Sequence, residues 1–520
     1  MRHARRALRI VMVTAAFAGC GGPIEAPEGT LRLALRTAPN RLDPAFAVDV
    51  AEGELCSMLF QGLVRFSPEG ELIPDAARAW TVEQGGARYV FHMDLRARFG
   101  DGRRLVSADV LYSFRRILSP ETASPRRWVL DRIRGADAFA AGESGTIAGL
   151  SAPDDSTVVI ELDAPFQPFL SMLAMPAGLI VAGEALADGQ FIGLPSGSGQ
   201  WRLDVWERGD YLSLAPNPNH PSPVTGLRAI RFRIIPEAFT RIAEYESGAL
   251  DILEIPPVEL SRFRNDESHA PRIQSRAELR VYYIGLNNRT FTDPRVRRAL
   301  NMAVNVDRLI EVLAGGVGDR ATGSVPPGLA GHEGRPAWPY DPEAARALLA
   351  EAGYAEGLSM EIWQRESPEG NRLLEAIQGY LRAVNVDVTL VRREWSAFKQ
   401  AVNAGRVDAF FLDWFADYPD AENFLYPLFH SENQGGGGNR ALFSDADVDR
   451  LIEQAAAAAD PAVAAALYAR VDSLVYTQAP WIYLYFPRSF HAVSGRVSGY
   501  QLPSLYLGSD YSSVTLVDTP

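Results

Sequence analysis

The sequence predicts an α/β protein with more than one domain, and three observations lead to this prediction. Apolar segments of strand length alternate with segments of helical character, and no short repeat is present. Asp-Pro pairs stand at the start of several helical segments. The chain has 520 residues, which is too long for one ordinary hydrophobic core.

Strands are predicted where β-branched and aromatic residues cluster. The segments are 31–35, 158–162, 230–234, 281–286, 386–390 and 482–485. A further apolar run, 409–412, has the length and composition of a buried strand. These strands are separated by helical segments, as in an α/β fold.

Three helices are predicted to begin at Asp-Pro pairs, after Asp293, Asp341 and Asp460. The Asp side chain can accept an unpaired amide hydrogen, and Pro lacks the amide that would go unsatisfied at the first helical position. The pair Gly315-Gly316 is expected to end the first helix and Gly353 the second. Four segments have the composition of linkers: 142–149, 216–226, 323–339 and 433–439. Among them, only the glycine run 435–438 has low-complexity composition.

The N-terminus predicts export. A basic segment precedes the apolar run 10–18, which is too short to span a bilayer, and small residues follow it before Cys20. This pattern resembles a bacterial lipobox, in which the cysteine becomes the lipidated first residue of the mature protein. Residues 1–19 are then a lipoprotein signal peptide and 20–28 a tether, with the lipid as an anchor. The alternative is an ordinary signal peptide cut nearby, with Cys20 incidental.

Composition excludes several classes of protein. The net charge is −13, which argues against a nucleic-acid partner. No apolar run after the leader is long enough for a transmembrane helix. The sequence has two cysteines, Cys20 and Cys56. Cys56 lies among apolar neighbours and is expected to be a buried, unpaired thiol.

The sequence lacks the usual motifs of enzymes. It has no Gly-Lys phosphate loop, no His-Glu-x-x-His zinc pair and no Gly-x-Ser-x-Gly nucleophile elbow. Its two cysteines cannot build a thiolate metal site. No cofactor and no metal are expected, and the chain is predicted not to be an enzyme. A pair of catalytic carboxylates stays open as an alternative, because the 64 acidic residues offer many pairs.

A candidate binding segment follows the apolar run 409–412. It contains Asp413, Trp414, Asp417 and Tyr418. Carboxylates at a strand end, beside an aromatic wall, suit the capture of a small cationic group. The alternative is a turn of solvated acids after a core strand.

A series of short motifs, in shared order over some 450 residues, resembles family 5 of the extracytoplasmic solute-binding proteins, the peptide binders of ABC importers. The motifs lie at 42–44, 59–63, 70–74, 79–80, 89–93, 99–102, 107–110, 197–201, 217–220, 247–251, 285–287, 293–300 and 340–345. The segment around Asp417 resembles the part of the family that holds a ligand's free amino group.

This resemblance implies a two-lobed periplasmic-binding-protein fold (class II type, cluster C) with an extra inserted domain and a hinged ligand cleft. The base lobe (domain I) is expected to comprise 29–60, 194–282 and 487–520. The inserted domain (domain II) is expected at 61–193. The second lobe (domain III) is expected at 283–486.

The resemblance also implies a function. The chain is expected to be a monomer in the periplasm or cell envelope, lipid-anchored, that captures di- to oligopeptides and delivers them to ABC permease subunits. Asp417 is implied to bind the ligand's ammonium, Trp414 to line the cleft beside Tyr418, and Arg365 to bind the ligand's carboxylate. An exposed arginine is the alternative for Arg365. Other solutes bound by relatives stay open as ligands: a nickel chelate, haem, a sugar or glutathione. An envelope hydrolase or a structural lipoprotein is a further alternative.

Overall fold

The computed structural model describes residues 27–517, except positions 192, 314 and 366. The predicted signal peptide, Cys20 and most of the tether lie outside the described residues. Among the residues that are described, no helix has the length and apolar character needed to cross a membrane.

The strands occur along the whole described chain. They are β1 (Thr30–Leu35), β2 (Val64–Phe66), β3 (Leu72–Pro74), β4 (Ala77–Glu83), β5 (Arg88–Met93), β6 (Leu150–Asp154), β7 (Thr157–Glu161), β8 (Leu186–Ala187), β9 (Gln190–Phe191), β10 (Trp201–Glu207), β11 (Tyr211–Pro216), β12 (Ala229–Ile234), β13 (Ile252–Glu254), β14 (Ile273–Ala277), β15 (Arg280–Leu286), β16 (Gly318–Arg320), β17 (Leu358–Arg365), β18 (Val386–Arg393), β19 (Ala409–Phe415), β20 (Trp481–Val493), β21 (Val497–Ser498) and β22 (Thr515–Leu516). All of the strands predicted from the sequence are confirmed.

The α-helices are concentrated in the C-terminal half. They are α1 (Val50–Leu59), α2 (Ser107–Leu118), α3 (Ala136–Ala140), α4 (Phe169–Leu173), α5 (Ala238–Glu246), α6 (Leu260–Asn265), α7 (Pro294–Ala303), α8 (Val306–Val312), α9 (Pro342–Glu351), α10 (Pro368–Arg382), α11 (Trp395–Asn403), α12 (Glu422–Phe429), α13 (Ala446–Ala456) and α14 (Pro461–Gln478).

The three Asp-Pro helix starts are confirmed, because each Asp accepts a backbone amide hydrogen at the start of α7, α9 or α14. The expected end of the first helix is wrong. Helix α7 stops at Ala303, and the Asn305 side chain caps a separate helix, α8, by accepting from the amide of Arg308. Gly353 does follow α9, with a φ of +93° that favours glycine. The glycine run 435–438 is ordered, since Gly435–Gly437 forms a 3₁₀ turn.

Three larger sheets organise the chain. One four-stranded sheet has the order β1-β12-β11-β10, and another has the order β4-β5-β7-β6. An eight-stranded sheet has the order β13-β20-β15-β19-β17-β18, with β14 and β16 also paired to β20. Strand β20 pairs with β14 over residues 488–492 and with β15 over residues 481–485. The long strand β20 therefore continues from the second lobe into the base lobe.

The hydrophobic core is divided into separate clusters. One gathers mainly residues 63–182, two gather residues of 279–486 on the two faces of the eight-stranded sheet, and two gather mainly residues of 31–60, 201–263 and 490–514. The lobe boundaries stay a proposal, and this division supports them. The fold is α/β and two-lobed with an inserted domain. Cys56 is confirmed as a buried free thiol, and burial raises its pKa well above the ordinary value.

Candidate functional site

The candidate site begins at β19, a central strand of the eight-stranded sheet. This strand runs antiparallel to β15 and parallel to β17. Since successive side chains of a strand point to opposite faces, Phe411 and Asp413 share one face, and Leu412 and Trp414 share the other. Phe411 and Asp413 line a common cavity, which Leu412 also borders, and Leu412 and Trp414 pack against the core beneath the opposite face. The strand ends at Phe415 and leads directly to Asp417.

Asp417 lies where the three parts of the chain meet. Its side chain is 32% exposed, and its Oδ1 lies 3.3 Å from Nη1 of Arg126 in the inserted domain. Its backbone N–H donates to Oδ1 of Asn423 at 3.0 Å. Burial raises the pKa of the Asp417 carboxyl, and the charge of Arg126 opposes that shift. Asp417 is therefore a partly buried, paired acid and not a freely solvated one.

Two aromatic rings lie near this carboxyl, one from the base lobe and one from the end of β19. The pKa of Tyr506 is raised by burial and further by the negative charge of Asp417. The ring of Tyr506 lies 6.1 Å from that of Phe415. The combination of a carboxylate with two aromatic rings favours a cationic group.

Arg126 is a site residue that the sequence did not reveal. Its Nε donates to the carbonyl of Ala47 at 3.2 Å, and its Nη2 donates to the carbonyl of Val48 at 3.1 Å. The side chain is 12% exposed. Its contact with Asp417 joins residues 291 positions apart, so no local motif signals it.

Trp414 is partly buried and Tyr418 is buried, each against a different core cluster. The ring of Trp414 packs against the core of the second lobe, and its buried indole N–H has no hydrogen-bond partner among the described residues. Tyr418 is 3% exposed and belongs to the core cluster of the inserted domain. Its hydroxyl donates to the carboxylate of Glu422. Their roles as ligand contacts stay predictions, and Tyr418 also helps to join the inserted domain to the second lobe.

Behind Tyr418 lies a pair of acids, of which Glu422 is buried and Asp420 half-buried. Glu422 is 3% exposed, and its backbone N–H donates to the Asp420 carboxylate at 2.9 Å. Burial raises the pKa of Asp420 to about 6 and that of Glu422 to about 7. Within the described part of the chain, no cluster of three or more His, Cys, Asp or Glu is placed to hold a metal ion.

Arg365 stands at the end of β17 and lines a cavity of about 130 Å³. The cavity walls include Tyr282, Ser367, Phe411, Asp413 and Tyr485. Arg365 is exposed, and its guanidinium carbon lies 5.9 Å from the ring centre of Trp395. It makes no ion pair with any described residue. A guanidinium that lines a cavity and has no ion-pair partner among the described residues suits a carboxylate.

The two ends of the site are joined along one face of β19. Asp413 lines the same cavity as Arg365. Arg280 contacts both Asp413 and the next side chain on that face, Phe415. Its Nε lies 3.8 Å from the Asp413 carboxylate, and its guanidinium lies over the ring of Phe415 at 4.9 Å. Asp413 and Asp417 are four positions apart, a span of about 13 Å for an extended chain. An extended peptide of about four residues covers a comparable distance.

Comparison with known proteins shows the family of the chain. Residues 71–436 match the family model described as bacterial extracellular solute-binding proteins, family 5 Middle. The chain is 29% identical to the di/tripeptide-binding protein 2 of Pseudomonas aeruginosa (strain UCBPP-PA14), over 98% of this chain and 99% of that protein. It is 30% identical to the glutathione-binding protein GsiB of Escherichia coli (strain K12), over 88% of this chain and 89% of that one.

A solved structure shows the same architecture. HbpA2 from Haemophilus parasuis superimposes with a TM-score of 0.83 at 25% sequence identity, covering 94% of this chain and 100% of that one. The family match covers well over half of the chain, and the order of sequence motifs agrees with it. The chain therefore belongs to family 5 of the bacterial extracellular solute-binding proteins.

Proposed function

We propose that this protein captures short peptides outside the cytoplasm and delivers them to the permease of an ABC importer, held at the membrane by a lipid on Cys20. The observation that carries the proposal is the partly buried carboxylate of Asp417 at the meeting point of the lobes. Relatives named for di/tripeptide and glutathione binding support this ligand class.

The proposed ligand is a zwitterion held at both ends. Its ammonium binds the Asp417 carboxylate, and its carboxylate binds the Arg365 guanidinium, both as charge-assisted hydrogen bonds. The backbone between them lies along the edge of β19 beyond Phe410, where the pairing with β17 ends and strand-like pairing reads no side-chain identity. Such a site selects ligands by length and by free ends more than by sequence.

Opening and closing are proposed to occur where the lobes are joined by continuous strands. Strand β20 passes from the second lobe into the base lobe, and β14 leads into β15 in the same place. Few backbone angles at these crossings need to change for one lobe to move against the other. Opening then moves Asp417 away from Tyr506 of the base lobe, which lies near it in this structure.

Glutathione is a second candidate ligand, favoured by the 30% identity to a glutathione-binding protein. It is a peptide-like molecule with a free ammonium and two carboxylates, so the same two side chains suit it. Isothermal titration of the purified protein with a panel of di- to pentapeptides and with glutathione tests both candidates. Absence of binding across the whole panel, with protein that unfolds cooperatively, would overturn the proposed function.

The proposal is of a binder without covalent chemistry. Ligand binding to the folded state alone should raise the melting temperature with ligand concentration. Turnover of peptides or glycosides by the pure protein, lost on substitution of a cleft carboxylate, would identify a hydrolase instead.

A further inference from the structure

Arg126 is fixed in place independently of Asp417. Two of its nitrogens donate to backbone carbonyls of the base lobe, those of Ala47 and Val48. The same turn is fixed by Ser124, whose Oγ donates to the carbonyl of Ala45 at 2.6 Å. The guanidinium of Arg126 is therefore preorganised by the inserted domain and the base lobe, before any contact with the second lobe.

The contact between Arg126 and Asp417 is single and long. Nη1 lies 3.3 Å from Oδ1, whereas charge-assisted N–H···O bonds of arginine with carboxylates are about 2.7–2.9 Å long and often paired. No second hydrogen bond to the Asp417 carboxylate is made by the described side chains. An ammonium could approach this carboxylate more closely than the guanidinium does.

We propose that Arg126 is an internal competitor of the ligand's ammonium, and this inference rests on the proposed function of Asp417. With no ligand bound, Arg126 neutralises Asp417 and holds the second lobe against the other two parts. A ligand with a free amino group replaces Arg126 at the carboxylate. Arg126 thereby reduces the binding free energy that the ligand's ammonium contributes. It helps to set how strongly the protein prefers ligands with a free amino terminus.

This role predicts a change in shape that requires no ligand. In Arg126→Gln the lobes lose a contact, so small-angle scattering of the protein without added peptide should show a larger radius of gyration than wild type. Arg127→Gln is the matched control, because Arg127 is the exposed neighbour, has the same charge and makes no ion pair among the described residues. It should scatter as the wild type does. An unchanged radius in Arg126→Gln would overturn the contact between lobes.

The second readout is the ratio of affinities for a dipeptide with a free amino group and its N-acetylated form. Closure of the lobes contributes equally to both affinities. The ratio therefore reports only the replacement of Arg126 by the ligand's ammonium at Asp417. Removing the competitor should raise this ratio about tenfold, the effect expected of one charge-assisted bond. The Arg127→Gln ratio should equal that of wild type.

The outcomes separate the two proposals. A ratio that is unchanged or lower in Arg126→Gln overturns the competitor role while leaving peptide binding intact. If the wild type binds no peptide, the proposed function fails and the competitor role fails with it, whereas the scattering comparison still decides whether Arg126 joins the lobes.

Discussion

Arg126 Nη1 lies 3.3 Å from Asp417 Oδ1, and this ion pair joins the inserted domain to the second lobe. Arg126 is also bonded to two carbonyls of the base lobe. The candidate site is therefore assembled from all three parts of the chain. Any movement that opens the cleft must break or stretch this pair, which makes Asp417 sensitive to both ligand and lobe position.

Asp417→Ala is expected to weaken peptide binding by at least about tenfold. A charge-assisted bond to an ammonium contributes about 1.5–3 kcal/mol, and its loss leaves the ligand's charge unpaired. Isothermal titration with a free and an N-acetylated peptide measures the effect, and the variant should discriminate less between the two. Asp387→Ala, an exposed acid on β18, is the control. Unchanged affinity in Asp417→Ala for a peptide that binds the wild type would contradict the assignment.

Arg365→Gln is expected to reduce the preference for a free C-terminal carboxylate over a C-terminal amide. The guanidinium lines the cavity and makes no ion pair with a described residue. A ligand carboxylate therefore forms its charge-assisted bond without breaking an ion pair between described residues, and most of the free energy of that bond contributes to binding. The ratio of the two affinities should fall about tenfold. Arg382→Gln, an exposed arginine at the end of α10, should leave the ratio unchanged. A ratio that survives in Arg365→Gln would assign the carboxylate to another residue.

Much of the fold could be predicted from local pattern. The strands show runs of β-branched and aromatic residues, and the Asp-Pro pairs make the caps that their chemistry favours. The helical pattern after Asp293 continues past Ala303, but Asn305 stands within it and caps a second helix. Here a single side-chain hydrogen bond decides whether one helix forms or two.

The candidate site was predictable only in part. Asp417 could be found because it follows a strand and a Trp in a motif that resembles a known family. Arg126 could not, because its position depends on how three parts of the chain pack, and nothing in its neighbourhood distinguishes it from the exposed Arg127. The orientation of Trp414 follows from strand alternation once the bounds of β19 are known.

Cys20→Ser is expected to abolish lipid labelling of the protein in a bacterial host. The variant lacks the thiol that the lipid modifies, so it should remain unprocessed or be released from the membrane fraction. Metabolic labelling with a fatty-acid analogue, followed by fractionation, measures this. Cys56→Ser is the control, because Cys56 is buried in the folded protein and cannot be the acceptor. Labelling that persists in Cys20→Ser would exclude the lipobox.

Glu422→Gln is expected to stabilise the protein at pH 8 and to have little effect at pH 4. Burial is the main cause that raises the pKa of Glu422 from 4.5 to about 7, so the folded state binds its proton more tightly than the unfolded state does. Stability from this group is complete below pH 4.5 and is lost as pH rises to about 7, because the folded protein must then ionise a buried acid. Such a shift corresponds to at most about 3 kcal/mol. The glutamine oxygen can still accept the hydrogen bond from Tyr418.

Calorimetric melting between pH 4 and pH 8 measures this difference. The melting temperature of Glu422→Gln should rise above that of wild type only as pH passes through the window from 4.5 to about 7. Glu356→Gln, at an exposed position of the same lobe, should follow the wild-type curve at every pH. A variant that is equally stable or less stable than wild type at pH 8 would show that neighbouring groups offset the cost of burying the ionised Glu422 carboxylate. Arg132, whose charge lowers the pKa of Glu422, is the residue to test next in that event.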